Sequence, residues 1–178
     1  LKQSLSGGFS LRGDALTLHG IDLDEELAEF ESTQNFSLID VGAGFFAGPL
    51  GLAVTKGYDY ASLFQKSDSN SEITKLISDW AVTNGVANAQ DVAMTTTENL
   101  LALNGSLDLH NGQFNELTVA LLDSRGCASV QQVIRGPFRE PEIEKPGFLM
   151  ALAGPALSLH KQGVEMLPGE ECEPFYKG

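Results

Sequence analysis

The 178-residue sequence predicts a mainly β fold with flanking helices, an α+β arrangement. A curved antiparallel meander sheet with one apolar face is expected to be capped by two short apolar helices. Three observations predict it. From Ser78 to Pro146 apolar and polar residues alternate, which places one side of each segment in a core and the other in water. Turn signals cut that alternation at Asn84-Gly85, Glu98-Asn99, Asn111-Gly112 and Ser124-Arg125-Gly126, leaving five segments. Elsewhere, two uncharged stretches repeat one Ala-Gly-Pro design.

Taken along the chain, residues 1–64 form an N-terminal strand and helix portion, and 65–71 a polar linker loop. Residues 72–146 are the antiparallel meander, and 147–178 an apolar helix with a cysteine-bearing tail. Phe9 to Ile21 alternates around Gly13-Asp14 and reads as a strand. Asp22-Leu23-Asp24-Glu25-Glu26-Leu27 reads as a helix start, with acids on the first turn, where the positive end of the helix dipole favours them. As a calcium site those carboxylates have the spacing of no known loop. Gln65-Lys66-Ser67-Asp68-Ser69-Asn70-Ser71 has a linker's composition.

The two capping helices rest on Phe46-Ala47-Gly48-Pro49-Leu50 and Leu152-Ala153-Gly154-Pro155-Ala156. Each proline is followed eight positions later by a glycine, Gly57 or Gly163, and Pro early in a helix with Gly just past its end are start and stop signals. Two longer helices kinked at Pro49 and Pro155 fit the same pattern. In the second, Phe148, Leu149, Leu152, Ala156 and Leu159 share a helical face.

Within the meander, Leu101, Leu103, Gly105, Leu107 and Leu109 point one way, and Ala102, Asn104, Ser106 and Asp108 the other. Leu117, Val119 and Leu121 share a face on the next segment, as do Val130 and Ile134 on the one after, with Gln132 between them. Leu76, Trp80 and Val82 line up near the start. Segments of about ten residues are roughly 30 Å long, and an apolar face of that length needs a cover. The two helices are one candidate, a bound acyl chain another.

Composition excludes some partners. The chain holds 11 basic and 24 acidic residues, a net charge of -13, which repels phosphate backbones and anionic membrane surfaces. Nucleic acid is not an expected partner. The uncharged run Val41 to Thr55 is shorter than the roughly 20 residues that span a bilayer. The start at Leu1-Lys2 suggests an excised fragment, with any signal or anchor upstream.

No catalytic residue, cofactor or metal is expected. The histidines are His19, His110 and His160. His110 belongs to a turn signal, and His160 follows an apolar helical segment beside Lys161. No nucleophile elbow, metal-ligand spacing, phosphate loop or dinucleotide fingerprint accompanies them. A hydrolase stays a remote alternative that needs a histidine within hydrogen-bond reach of Ser or Asp in a cleft.

The two cysteines, Cys127 and Cys172, have two readings. They are unrelated buried thiols, or they form one disulfide that fastens the polar tail Gly169-Glu170-Glu171-Cys172-Glu173-Pro174 to the strand after the Ser124-Arg125-Gly126 turn.

The order of several short strings carries a resemblance. DWAV at 79–82, NGVANAQDVAM at 84–94, LALNGSLDL at 101–109 and TVALLDSRGCA at 118–128 come first. RGPF at 135–138, EPEIEKP at 140–146, LAGPALSL at 152–159 and GEECEPFY at 169–176 follow. In that order they resemble the C-terminal region of the AsmA family, as do HGIDL at 19–23, AGPLG at 47–51 and TKGYD at 55–59. The resemblance covers most of the chain and is most specific from Trp80 to Tyr176. It implies a periplasmic domain of a Gram-negative envelope protein, held to the inner membrane by an N-terminal helix upstream and acting in outer-membrane biogenesis. It also implies kinship with TamB-like and bridge-like proteins, whose curved sheets form an apolar groove for phospholipid. An oxidising compartment favours the Cys127–Cys172 disulfide.

Two functions are thereby expected. In the first, Leu76, Trp80, Val82, Leu101, Leu103, Leu107, Leu109, Leu117, Val119 and Leu121 form an apolar groove face that shelters or passes phospholipid. Phe46, Pro49, Leu50, Leu149, Leu152, Pro155 and Leu159 then belong to the capping helices. In the second, the domain is a structural adaptor that caps the groove and docks a partner in the envelope or in outer-membrane protein assembly.

Overall fold

The structure, a computed structural model, describes residues 4–20, 22–33, 69–145, 147–148 and 172–177. Its described elements are mainly antiparallel β. Strands β1 (Gly7–His19), β2 (Asn70–Thr83), β3 (Val86–Thr95), β4 (Leu100–Asp108), β5 (Gln113–Leu122) and β6 (Ala128–Pro137) lie side by side in chain order. Two short strands, β7 (Glu142–Ile143) and β8 (Gly147–Phe148), both pair with β6. Helix α1 (Leu23–Thr33) lies between β1 and β2 in sequence. Among the described residues the sheet is open, with β1 and β7 at the two ends of the strand order.

The turn signals explain the meander. All four fall at the connections of β2 through β6. Asn84 and Gly85 both have positive φ, at 51° and 81°, the conformation a tight Asn-Gly hairpin requires. The β4–β5 turn is organised by Asp108, whose carboxylate accepts the backbone N–H groups of His110 and Asn111 and an amide N–H of the Asn111 side chain. Those bonds, the backbone one of Asn111 foremost, hold the Asp108 carboxyl below the usual range. The β5–β6 turn repeats the device with Asp123. Burial pushes that carboxyl up, but the N–H groups of Cys127 and Arg125 and the Arg125 side chain outweigh it and leave it lowered.

Register shifts interrupt every pairing from β2–β3 to β5–β6, and two of them show how the sheet bends. The β4–β5 register shifts between Asn104 and Ser106, around Gly105 with φ 121°. A Cβ there would lie 2.6 Å from the carbonyl oxygen of Glu116, so only glycine fits. The β2–β3 register shifts between Asp79 and Trp80. Such bulges increase local twist and curvature.

Helix α1 starts as its sequence predicts. Asp22 caps it by accepting the Glu25 backbone N–H at 3.1 Å, and Asp24, Glu25 and Glu26 occupy the first turn. The buried Leu23 N–H donates to Ser71 Oγ at 2.7 Å. Asp24 accepts the Thr96 hydroxyl and, at 2.6 Å, the Asn99 amide. The helix start is thus tied both to β2 and to the β3–β4 turn.

The sheet reorganises the predicted division of the chain. β1 belongs to the same sheet as the meander, paired along its length with β2 from Gly7↔Val82 to His19↔Asn70. β2 begins at Asn70, inside the segment predicted as a linker. Phe148, predicted on the face of the second capping helix, is instead in β8, paired with Val130, and the rest of the two predicted helices, with Phe46, Pro49, Leu50, Leu149, Leu152, Pro155 and Leu159, lies outside the described residues.

Candidate functional site

The main apolar cluster joins one face of the sheet. It contains Leu76, Trp80 and Val82 of β2, Leu101, Leu103 and Leu107 of β4, and Leu117, Val119 and Leu121 of β5. Leu109, just past the end of β4, packs against it. All ten residues predicted for an apolar face are therefore in one place. Sequence reasoning missed further members: Ala87, Val92 and Met94 of β3, Ile73 of β2, Phe114 of β5, and Leu23 and Leu27 of α1. β3 carries weaker alternation because Asn88, Gln90 and Asp91 crowd its middle.

The centre of this face is fully buried, with Leu101 and Val119 at 0 % exposure. Polar groups inside it are paired. Trp80 Nε1 donates to Ser78 Oγ at 2.9 Å, and Gln132 Nε2 donates to the Glu144 carbonyl at 3.1 Å. No buried side-chain nitrogen or oxygen among the described residues lacks a partner. At the β1 edge the face thins out. Phe9 stacks on Trp80 with ring centroids 5.8 Å apart, and Leu18 packs on the cluster. Leu11 and Leu16 are each 38 % exposed.

The opposite face carries a second feature. Ala93, Ala102 and Ala120 pair in succession across β3, β4 and β5. With Leu122 they form a small apolar patch, on which Phe175 and Tyr176 of the tail are seated. The tail is fixed in several ways. Cys127 and Cys172 form a disulfide with Cα atoms 6.1 Å apart, so the pairing expected from the family resemblance is present in the structure. Phe175 N–H donates to the Gly126 carbonyl at 2.9 Å, and Asn104 donates to the Phe175 carbonyl at 3.2 Å. Gly126 has φ 80°, and a Cβ there would lie 2.6 Å from the Tyr176 carbonyl oxygen. Small residues at outward positions of three adjacent strands were the available sequence signal for this seat.

Charge on this face is arranged in local pairs. Asp79 accepts from the Arg12 guanidinium and the Ser10 hydroxyl, and these bonds, Arg12 first, lower its pKa. The Tyr176 hydroxyl donates to Asp91 at 2.6 Å. Burial first, and then that bond to a carboxylate, push Tyr176 up to about 12. An ordinary tyrosine titrates near about 10, so the neutral phenol is favoured by the fold. The stability this gives is complete below about pH 10 and is lost as pH rises through about 12. In a tyrosinate absorbance titration of the folded protein, the highest-pH step is expected to vanish in Tyr176→Phe. A titration curve that keeps that step would contradict the assignment.

The other predicted groups are dispersed. His19 Nδ1 lies 2.7 Å from Asn70 Oδ1 at the end of the β1–β2 ladder, and His110 sits in the β4–β5 turn. His160 lies outside the described residues. No group of three or more His, Cys, Asp or Glu positioned to hold a metal occurs among the described residues. No described helix is long and apolar enough to cross a membrane. No family model, curated protein or solved structure matches this chain.

Proposed function

We propose that this chain is a non-catalytic periplasmic domain of an inner-membrane-anchored AsmA-like protein in outer-membrane biogenesis, and that its apolar sheet face shelters or passes phospholipid. One observation carries the reading. An open antiparallel sheet carries an apolar face from β2 to β6 that is buried at its centre, and β1 continues it to an exposed rim at Leu11 and Leu16. A closed barrel would wall off such a face, whereas an open sheet leaves it a lateral edge through which an acyl chain can lie along the strands. The disulfide fits an oxidising compartment.

A second reading is favoured by a different observation. The centre of the face is buried within the single chain, which suits a structural adaptor that ends a groove and docks an envelope partner.

One experiment separates the two. The protein is purified from an envelope extract in mild detergent, examined by native mass spectrometry, and then irradiated with a photoreactive phospholipid. The lipid reading expects bound phospholipid and adducts on the apolar face, concentrated near Leu11 and Leu16. Protein free of lipid, with adducts scattered or absent, would leave the adaptor reading in possession.

A further inference from the structure

β1 ends the strand ladder, and no described residue pairs with its outer edge. Most of its residues are exposed. Its sequence has neither of two common protections of an edge strand, lysine or proline. We propose that this edge is a self-association surface, on which a second copy of the chain adds its own β1 antiparallel about a two-fold axis at Gly13. The proposal stands whether or not the apolar face carries lipid.

The strand's own charges select the occupant and the register. Antiparallel pairing of a strand with its copy is fixed by the residue that lies opposite itself. With Gly13 on the axis, Arg12 of each copy faces Asp14 of the other, giving two opposite-charge pairs on the polar face. Moving the axis one residue either way sets Arg12 against Arg12, or Asp14 against Asp14, and like charges directly opposite are destabilising. Arg12 is available for this role, since its side chain is 62 % exposed even while bonded to Asp79.

The same register brings the exposed apolar residues of β1 close to the axis. Ala15 has φ 52°, and the side-chain direction reverses there: Phe9 and Leu18 both pack on the apolar cluster although they fall on opposite parities of the strand. The β1–β2 register runs unshifted past Ala15, so with Gly13 on the axis Leu11 of one copy faces Ala15 of the other, and Leu16 is the next residue along. Leu11 and Leu16 are the two large apolar side chains that β1 leaves exposed. Gly13 suits the axis because the space a Cβ would take is already filled by the Leu16 side chain, 2.7 Å away. The product is one continuous sheet with both apolar faces on the same side.

A single strand pair buries less than the roughly 1,000 Å² of a strong interface, so a weak, reversible dimer is expected. Sedimentation equilibrium over a wide concentration range, on the chain with its disulfide intact, should show a monomer–dimer equilibrium. Arg12→Glu and Asp14→Lys should each weaken it by at least about tenfold. An equimolar mixture of the two variants should restore it, because the swapped charges are complementary between them. Circular dichroism and melting curves establish that each variant is folded. If Arg12→Glu unfolds through loss of its bond to Asp79, Asp14→Lys decides alone: a folded monomer supports the proposal, a folded dimer of wild-type strength overturns it. A wild-type chain that stays monomeric throughout, or folded variants whose mixture fails to associate, also overturns it.

Discussion

Replacing Val119 with Asp is expected to unfold the domain at neutral pH. Val119 lies at the middle of the central apolar cluster with no exposure to solvent. A lone carboxylate moved into such surroundings has its pKa raised by up to about 3–5 units. At about 1.4 kcal/mol per unit this is roughly 4–7 kcal/mol, a large part of the 5–15 kcal/mol that holds a typical domain together. Val119→Asn changes the shape almost as much but adds no charge. Because the Asp pKa is raised in the folded state, its cost relative to Asn appears as pH rises above about 4 and vanishes below it. Urea denaturation of both variants at several pH values measures that gap. A Val119→Asp protein as stable as wild type at neutral pH would mean that water reaches the centre of the face, as in an open groove.

Breaking the disulfide is expected to cost nearly as much by a different route. Cys127 and Cys172 are 45 residues apart, and closing a loop of that size removes enough unfolded-state entropy to stabilise the fold by about 4 kcal/mol in the chain-entropy model. For a chain of this length that corresponds to a melting temperature roughly 10 °C lower in Cys172→Ser. Reduction of the wild-type protein by a dithiol should lower its melting temperature to that of the variant, and the same treatment should leave the variant unchanged. A loss below about 1 kcal/mol would show that the Phe175 and Tyr176 seat holds the tail without the covalent bond. The Tyr176 titration distinguishes these outcomes locally. A released tail returns that phenol toward about 10, and a seated one keeps it near about 12.

What the sequence revealed follows the range of the interactions involved. Asn84-Gly85 announces a hairpin because a two-residue turn is decided by its own φ angles, and Asn111-Gly112 marks a four-residue turn closed by the neighbouring Asp108 carboxylate. Period-two alternation similarly placed Leu101, Leu103, Leu107, Leu117, Val119 and Leu121 on one face, because side-chain direction in a strand is local. The union of β1 with the meander was not legible in the same way. Gly7, Gly8 and Gly13 weaken its strand signal, and its partner is set by a pairing across 51 positions. The tail's position on the opposite face was hidden for the same reason. Phe175 and Tyr176 look like surface residues until the alanines of three strands are aligned beneath them. Ser71 shows the reverse error: its polar neighbours suggest a linker, yet it is buried and accepts the Leu23 N–H.

The long reach from β1 to β2 has a kinetic meaning. From β2 to β6 each strand meets its predecessor across a short turn, so this part of the ladder can grow by small steps with little loop entropy at any one of them. β1 can join only by closing a loop of about fifty residues, a step roughly 2 kcal/mol more costly than a tight turn on logarithmic scaling. The strand that ends the sheet in space is therefore also the last to be committed in time. Its amides should be the first of the sheet to exchange with solvent.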